Sequence, residues 1–162
     1  MISFFKKVQL IVNGNYRLTA VDVPKLNRPY IKVFVADMFP QSMLCSFLSA
    51  LVKDEGKTLD ITIVTSYSEA EEILNNDYYN GDATYDIYIL ASRLHGKPAE
   101  KERKFTDTLW ASIPINKLIV TSEDAQFVKL AVLNGIFATH KMYKQTDNTL
   151  LTKKITSLIK HP

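Results

Sequence analysis

The chain has 162 residues, 46% hydrophobic and 23% charged, with a net charge of +3. That length suits one domain with a sizeable core, and the charge is too weak to argue for nucleic acid, which asks for a concentrated basic face. The single cysteine, Cys45, excludes an internal disulfide and a multi-cysteine zinc site and makes a reducing, cytoplasmic setting the expectation, while no apolar run approaches the ~20 residues of a membrane span.

Taken in chain order, the first signal is Val8 to Ala20. Asn13-Gly14-Asn15 separates two β-prone runs, the pattern of a hairpin. A three-residue loop places Val8, Leu10, Val12, Tyr16, Leu18 and Ala20 on one face. Lys6 and Lys7 follow the apolar residues of the N-terminus, the wrong order for a signal peptide. Asp22 to Pro29 reads as a linker, with two prolines and little periodicity. The expected division is therefore residues 1–29 as hairpin and linker and residues 30–162 as the main domain.

From Tyr30 onward strands and helices alternate. Ile31–Ala36 is a strand, apolar apart from Lys32. Pro40 suits the first turn of a helix whose stripe is Met43, Leu44, Phe47, Leu48, Leu51 and Val52, and Gly56 stops it. Leu59–Val64 is a second strand, and Ser68-Glu69-Ala70-Glu71 predicts the capped start of a short helix. Tyr85–Leu90 is a third strand, followed by a helix over Ala99–Ser112 with Trp110 packed against the sheet. Lys117–Val120 is a fourth strand, and Glu123–Asn134 a helix closed by Gly135. Ile136–Thr139 is a fifth strand, and Thr146–Ile159 a last helix with Leu150, Leu151, Ile155, Leu158 and Ile159 as its stripe. Such alternation predicts an α/β fold of three layers, a doubly wound, five-stranded parallel sheet covered on both faces, with the hairpin as an extension. Functional groups in such sheets gather at the carboxyl ends of the strands.

Asp86, Ala91 and Gly96 stand at the spacing Asp-x-x-x-x-Ala-x-x-x-x-Gly. Asp37 follows the first of these strands, Thr121 the fourth, and Ala131 to Gly135 reads Ala-x-x-x-Gly. In these features the stretch from Tyr30 to Ile159, about four-fifths of the chain, resembles the receiver domain of bacterial response regulators. The resemblance implies a flavodoxin-like fold, an acidic pair after the first strand, a phosphate-accepting aspartate after the third, a hydroxyl after the fourth and a lysine after the fifth. Here Asp37 is the one carboxylate where a pair is expected, within one residue of register. Ala91 stands at the acceptor, Thr121 at the hydroxyl, and the lysine falls at Lys141 or, one residue on, at Met142. Aspartyl phosphorylation needs a nucleophilic carboxylate and a magnesium ion held by several oxygens. Alanine supplies neither, so the expectation is a degenerate pocket of Asp37, Ala91, Thr121 and Lys141, without catalysis, cofactor or metal.

Other chemistry finds little support. His95, His140 and His161 are scattered, with no metal-ligand spacing, and no glycine-rich phosphate loop exists. The mixed run Glu100 to Lys104 reads as a solvated helix face. Lys153, Lys154 and Lys160 suit the C-terminal end of a helix. The helix over Glu123–Asn134 is less ordinary: Phe127, Val128, Leu130, Ala131, Val132 and Leu133 span about 260° of its circumference at about 100° per residue. Receivers commonly pair through this helix, the fifth strand and the fifth helix, so Phe127, Leu130 and Leu133 form a candidate interaction face. The competing arrangement has the N-terminal hairpin covering it within one chain. The resulting expectation is a pseudo-receiver that binds a protein partner or its own copy, without direct contact to nucleic acid or membrane. Two alternatives stand beside it. One is the N-terminal receiver-like part of a transcription regulator lacking its DNA-binding output, since no helix-turn-helix follows Ile159. The other is a ligand-binding module or small enzyme using the cleft near Asp37, Ala91, Ser92 and Thr121.

Overall fold

The computed structural model describes residues 9–11, 28–79, 85–96 and 113–162. Six strands form one sheet: β1 (Gln9–Ile11), β2 (Tyr30–Ala36), β3 (Thr58–Val64), β4 (Ile87–Ala91), β5 (Leu118–Ser122) and β6 (Ala138–His140). Their order is β1-β3-β2-β4-β5-β6. The last five strands of the chain are parallel, and β1 joins β3 antiparallel at the edge. Counted from β2, the parallel part has the doubly wound order 2-1-3-4-5 of flavodoxin-like folds. The fold is the one expected from the alternation of apolar runs.

Four helices cover the sheet among the described residues: α1 (Ser42–Asp54), α2 (Tyr67–Tyr79), α3 (Ala125–Leu133) and α4 (Thr149–Lys160). Alternation along the strands divides the core in two. Ile31, Val33, Val35, Ile87, Ile89 and Ile119 meet Leu44, Leu48 and Leu51 of α1 and Leu151, Ile155 and Ile159 of α4. Phe34, Ala36, Tyr88, Leu90 and Val120 meet Ala70, Ile73 and Leu74 of α2 and Phe127 and Ala131 of α3. Both faces are therefore buried, which explains the near-continuous apolar runs of β2, β4 and β5.

Several boundaries differ from the sequence expectation: β6 begins at Ala138 rather than Ile136, β5 runs on to Ser122, and α3 begins at Ala125 rather than Glu123. α1 begins after Gln41 rather than at Pro40. α2 begins two residues early, because Ser66 takes the cap: its Oγ accepts the Glu69 N–H at 3.3 Å and donates to Glu69 Oε1 at 2.9 Å. Ser66 and Glu69 form the same Ser-x-x-Glu frame as Ser68 and Glu71, shifted by two positions. α4 begins after Asn148, whose Oδ1 accepts the Leu151 N–H at 3.2 Å while its Nδ2 donates to Thr139 Oγ1 at 2.9 Å.

The predicted helix over 99–112, Trp110, the linker over 22–27 and hairpin residues 12–20 lie outside the described residues. The part of the predicted hairpin that is described, β1, lies beside β3 at the sheet edge opposite β6.

Candidate functional site at the carboxyl ends of the strands

Asp37, Ala91 and Thr121 occupy neighbouring positions across three adjacent strands. Ala36 pairs with Leu90 and Ala91 with Thr121, which brings Asp37, one residue past β2, beside Ala91. All three are buried. The loop after β6 supplies Lys141, whose ammonium lies 2.8 Å from Asp37 Oδ2 and 3.0 Å from Oδ1. It also donates to the Phe39 carbonyl at 3.2 Å. Met142, one residue on, is 44% exposed. Asp37 Oδ1 further accepts the Phe39 N–H at 2.9 Å, which folds the loop after β2 back over the carboxylate.

Backbone bonds fasten the loop after β4 to its neighbours. The Met38 N–H donates to the Arg93 carbonyl at 3.1 Å, His95 N–H to Thr65 at 3.1 Å, and Tyr67 N–H to His95 at 2.8 Å. Gly96, the last described residue of this segment, has φ +74° and open space where a Cβ would stand, so its requirement is conformational rather than steric. The neighbouring strand β5 ends in Ser122, whose Oγ lies 2.9 Å from Ser92 Oγ and accepts the Asp124 N–H at 3.0 Å. Asp124 in turn caps α3 by accepting from Gln126 at 2.9 Å and Phe127 at 3.4 Å. Between the loops lies a cleft of about 400 Å³, lined by Asp37, Met38, Phe39, Ala91, Ser92, Arg93, Ser122, Glu123, Asp124, Phe127 and Lys141.

Thr121 does not join that lining. Its hydroxyl is buried without a hydrogen-bond partner, as is the hydroxyl of Tyr143, a residue that sequence reasoning passed over. Tyr143 packs its ring 6.1 Å from Phe47. Burial pushes its phenol up to about 12, the Thr121 hydroxyl nearby lowers it in part, and the charge of Asp37 raises it further. Below about pH 10 the phenol is neutral in both the folded and the unfolded chain, so it makes no pH-dependent difference there. Relative to that plateau the fold loses stability as pH rises from about 10 toward about 12, because the unfolded chain ionises first. Tyr143→Phe is therefore expected to remove about 2–3 kcal/mol of alkaline destabilisation. At neutral pH it is expected to be neutral or stabilising by about 1 kcal/mol, because it deletes an unpartnered buried hydroxyl. Chemical denaturation of both proteins at neutral and alkaline pH measures this; a variant that loses stability as steeply as wild type above pH ~10 contradicts it.

The magnesium ion that the receiver resemblance implies does not fit these side chains. Asp37 is engaged by Lys141, Ala91 has no ligand atom, and the described residues hold no group of three His, Cys, Asp or Glu side chains placed to share an ion. No phosphoryl-transfer step follows from this geometry.

The expected interaction face needs one correction. Phe127 is buried, 4% exposed, in the core between α3 and the sheet. Leu130 and Leu133 are 39% and 76% exposed, joined by Val132 at 55%. The sheet therefore takes Phe127 and Ala131, and the outward apolar residues are Leu130, Val132 and Leu133. Among the described residues no helix is long and apolar enough to cross a membrane.

No family model matches the chain, and no curated protein matches it. Solved structures do. A response regulator receiver domain protein from Clostridium thermocellum is similar at 17% identity, with 80% of this chain and 94% of that chain covered and a TM-score of 0.49. A protein of Burkholderia pseudomallei K96243, described as pilus assembly-related, is similar at 16% identity, with 85% and 95% covered and a TM-score of 0.48. A response regulator in red light signaling of R. palustris is similar at 22% identity, with 79% and 90% covered and a TM-score of 0.43. The strand order itself, rather than these likenesses, carries the receiver-like fold assignment.

Proposed function

We propose that this chain is a pseudo-receiver: a signalling domain that has the receiver fold, carries no phosphoryl group and acts by binding protein. One observation carries the reading. Ala91, which the receiver frame sets at the acceptor, offers no oxygen, and Lys141, which lines the same cleft, is paired with Asp37. The pocket Asp37, Ala91, Thr121 and Lys141 is then a structural remnant, and the domain is not an enzyme. Its setting is the cytoplasm, and nucleic acid is not its direct partner. Incubation with acetyl phosphate and magnesium is expected to leave the intact mass unchanged. A stoichiometric adduct labile to hydroxylamine overturns the reading.

The protein-binding half rests on α3. Leu130, Val132 and Leu133 place three aliphatic side chains outward on nine residues of helix, more than a solvated helix needs. The described strand of the N-terminal segment pairs at the far edge, which favours a partner over the hairpin as the cover of this face. The partner is a second copy of the chain or another protein. Leu133→Lys is expected to weaken self-association or partner binding by several kcal/mol, about 10²-fold or more, because an unpaired charge in a dry interface is costly. The same change on an open surface costs little, so the melting temperature of the monomer stays put. Light scattering and calorimetric melting decide the matter: a monomeric wild type that binds no candidate domain, with a variant that unfolds, contradicts the interface.

A further inference from the structure

The cleft beside Ala91 holds more chemistry than a remnant needs. Its volume of about 400 Å³ falls in the range of small-molecule sites, about 300–1,000 Å³. Five charged residues line it. Three are already engaged: Lys141 and Asp37 neutralise each other, and Asp124 caps α3. The other two are Arg93, on the loop after β4, and Glu123, on the adjacent loop after β5. Both are exposed, and neither side chain has a hydrogen-bond or ion-pair partner among the described residues. They bring opposite charges to one cleft without pairing.

The hydroxyls add a donor. Ser92 and Ser122 share one hydrogen bond, and Ser122 Oγ also accepts from Asp124 N–H. Two hydroxyl hydrogens serve one mutual bond, so one of them is left for a ligand. The rest of the lining is apolar: Met38, Phe39, Ala91 and Phe127. A carboxylate at position 91 would have made that floor hydrophilic; alanine makes it apolar.

We propose that this cleft binds a free α-amino acid with an apolar side chain, held as its zwitterion. Its carboxylate meets Arg93 and the serine hydroxyl, its ammonium meets Glu123, and its side chain lies against Met38 and the exposed ring of Phe39. Arginine matches a carboxylate through two parallel N–H donors. The assignment is separate from the α3 interface, and Leu133→Lys leaves it untouched.

Titration calorimetry and amide NMR of the full chain with leucine, methionine and phenylalanine test it. At least one of the three is expected to bind with a Kd of about 0.01–1 mM. For phenylalanine the two halves separate the charges: 3-phenylpropionate keeps only the carboxylate and phenethylamine only the ammonium. Each is expected to bind about tenfold or more weakly than the zwitterion, and Arg93→Gln and Glu123→Gln to lower amino-acid affinity about tenfold with unchanged melting temperature. Amide shifts should centre on residues 91–93 and 122–124. The proposal is overturned if none of the three binds at about 10 mM, if phenylpropionate binds as well as phenylalanine, or if both variants bind like wild type.

Discussion

Replacing Asp86 by alanine is expected to destabilise the domain by about 3–5 kcal/mol, a large part of the 5–15 kcal/mol that holds a typical domain together. Asp86 lies at the amino end of β4 with its side chain wholly buried, and it takes the Arg28 guanidinium in an ion pair. Its other oxygen accepts the Lys32 N–H at 2.9 Å, while its own N–H donates to the Lys32 carbonyl at 2.8 Å. One side chain thus fixes the start of β4 against β2 and anchors the residue that precedes Pro29. Removing it leaves a buried guanidinium whose Nε already has no partner, together with an unpaired backbone donor. Arg28 would keep its stacking on Tyr30, at 4.9 Å from the ring centroid. Asp86→Asn retains an acceptor for Lys32 and should lose less than the alanine. Urea denaturation measures both, and a loss below about 1 kcal/mol for the alanine would place this pair in the class of solvent-screened surface bridges.

The second large effect concerns Lys141. Lys141→Met removes the cation from a carboxylate whose side chain is 4% exposed. The expected loss is about 3 kcal/mol, because the remaining charge stays buried without compensation. Adding Asp37→Asn to the same protein should restore most of it, since no buried charge is then left. Four proteins in a double-mutant cycle give the coupling directly. Losses that simply add would show that Asp37 and Lys141 do not depend on each other.

How far the sequence was readable follows from the range of each interaction. The strands announced themselves because burial on both faces demands continuous apolar runs, as in Tyr30–Ala36. Spacing along one segment also set a position: the frame from Asp86 through Ala91 to Gly96 marks Ala91, which the register of β4 with β2 and β5 leaves at the carboxyl end of the sheet. Short motifs failed where two frames competed. Ser66-x-x-Glu69 and Ser68-x-x-Glu71 fit the same rule, and the choice was made by the Tyr67 N–H bonding His95, a residue far along the chain. Phe127 was misplaced because a helix apolar over most of its circumference does not declare which side meets the sheet. The lysine was legible only to within a residue, since β6 has just three residues to set its register. Arg28 and Asp86 were invisible as a pair, being 58 residues apart.

The hydrogen bonds between the loops after β2, β3 and β4 have an entropic consequence. Met38, Thr65, Tyr67, Arg93 and His95 are joined so that none of these segments opens alone. Their amides should exchange with solvent together, through one cooperative opening rather than separate fraying. A molecule that settles on this rim therefore meets loops already ordered, and its affinity is reduced little by the freezing of backbone. Recognition there is governed by shape and charge rather than by a transition from disorder to order.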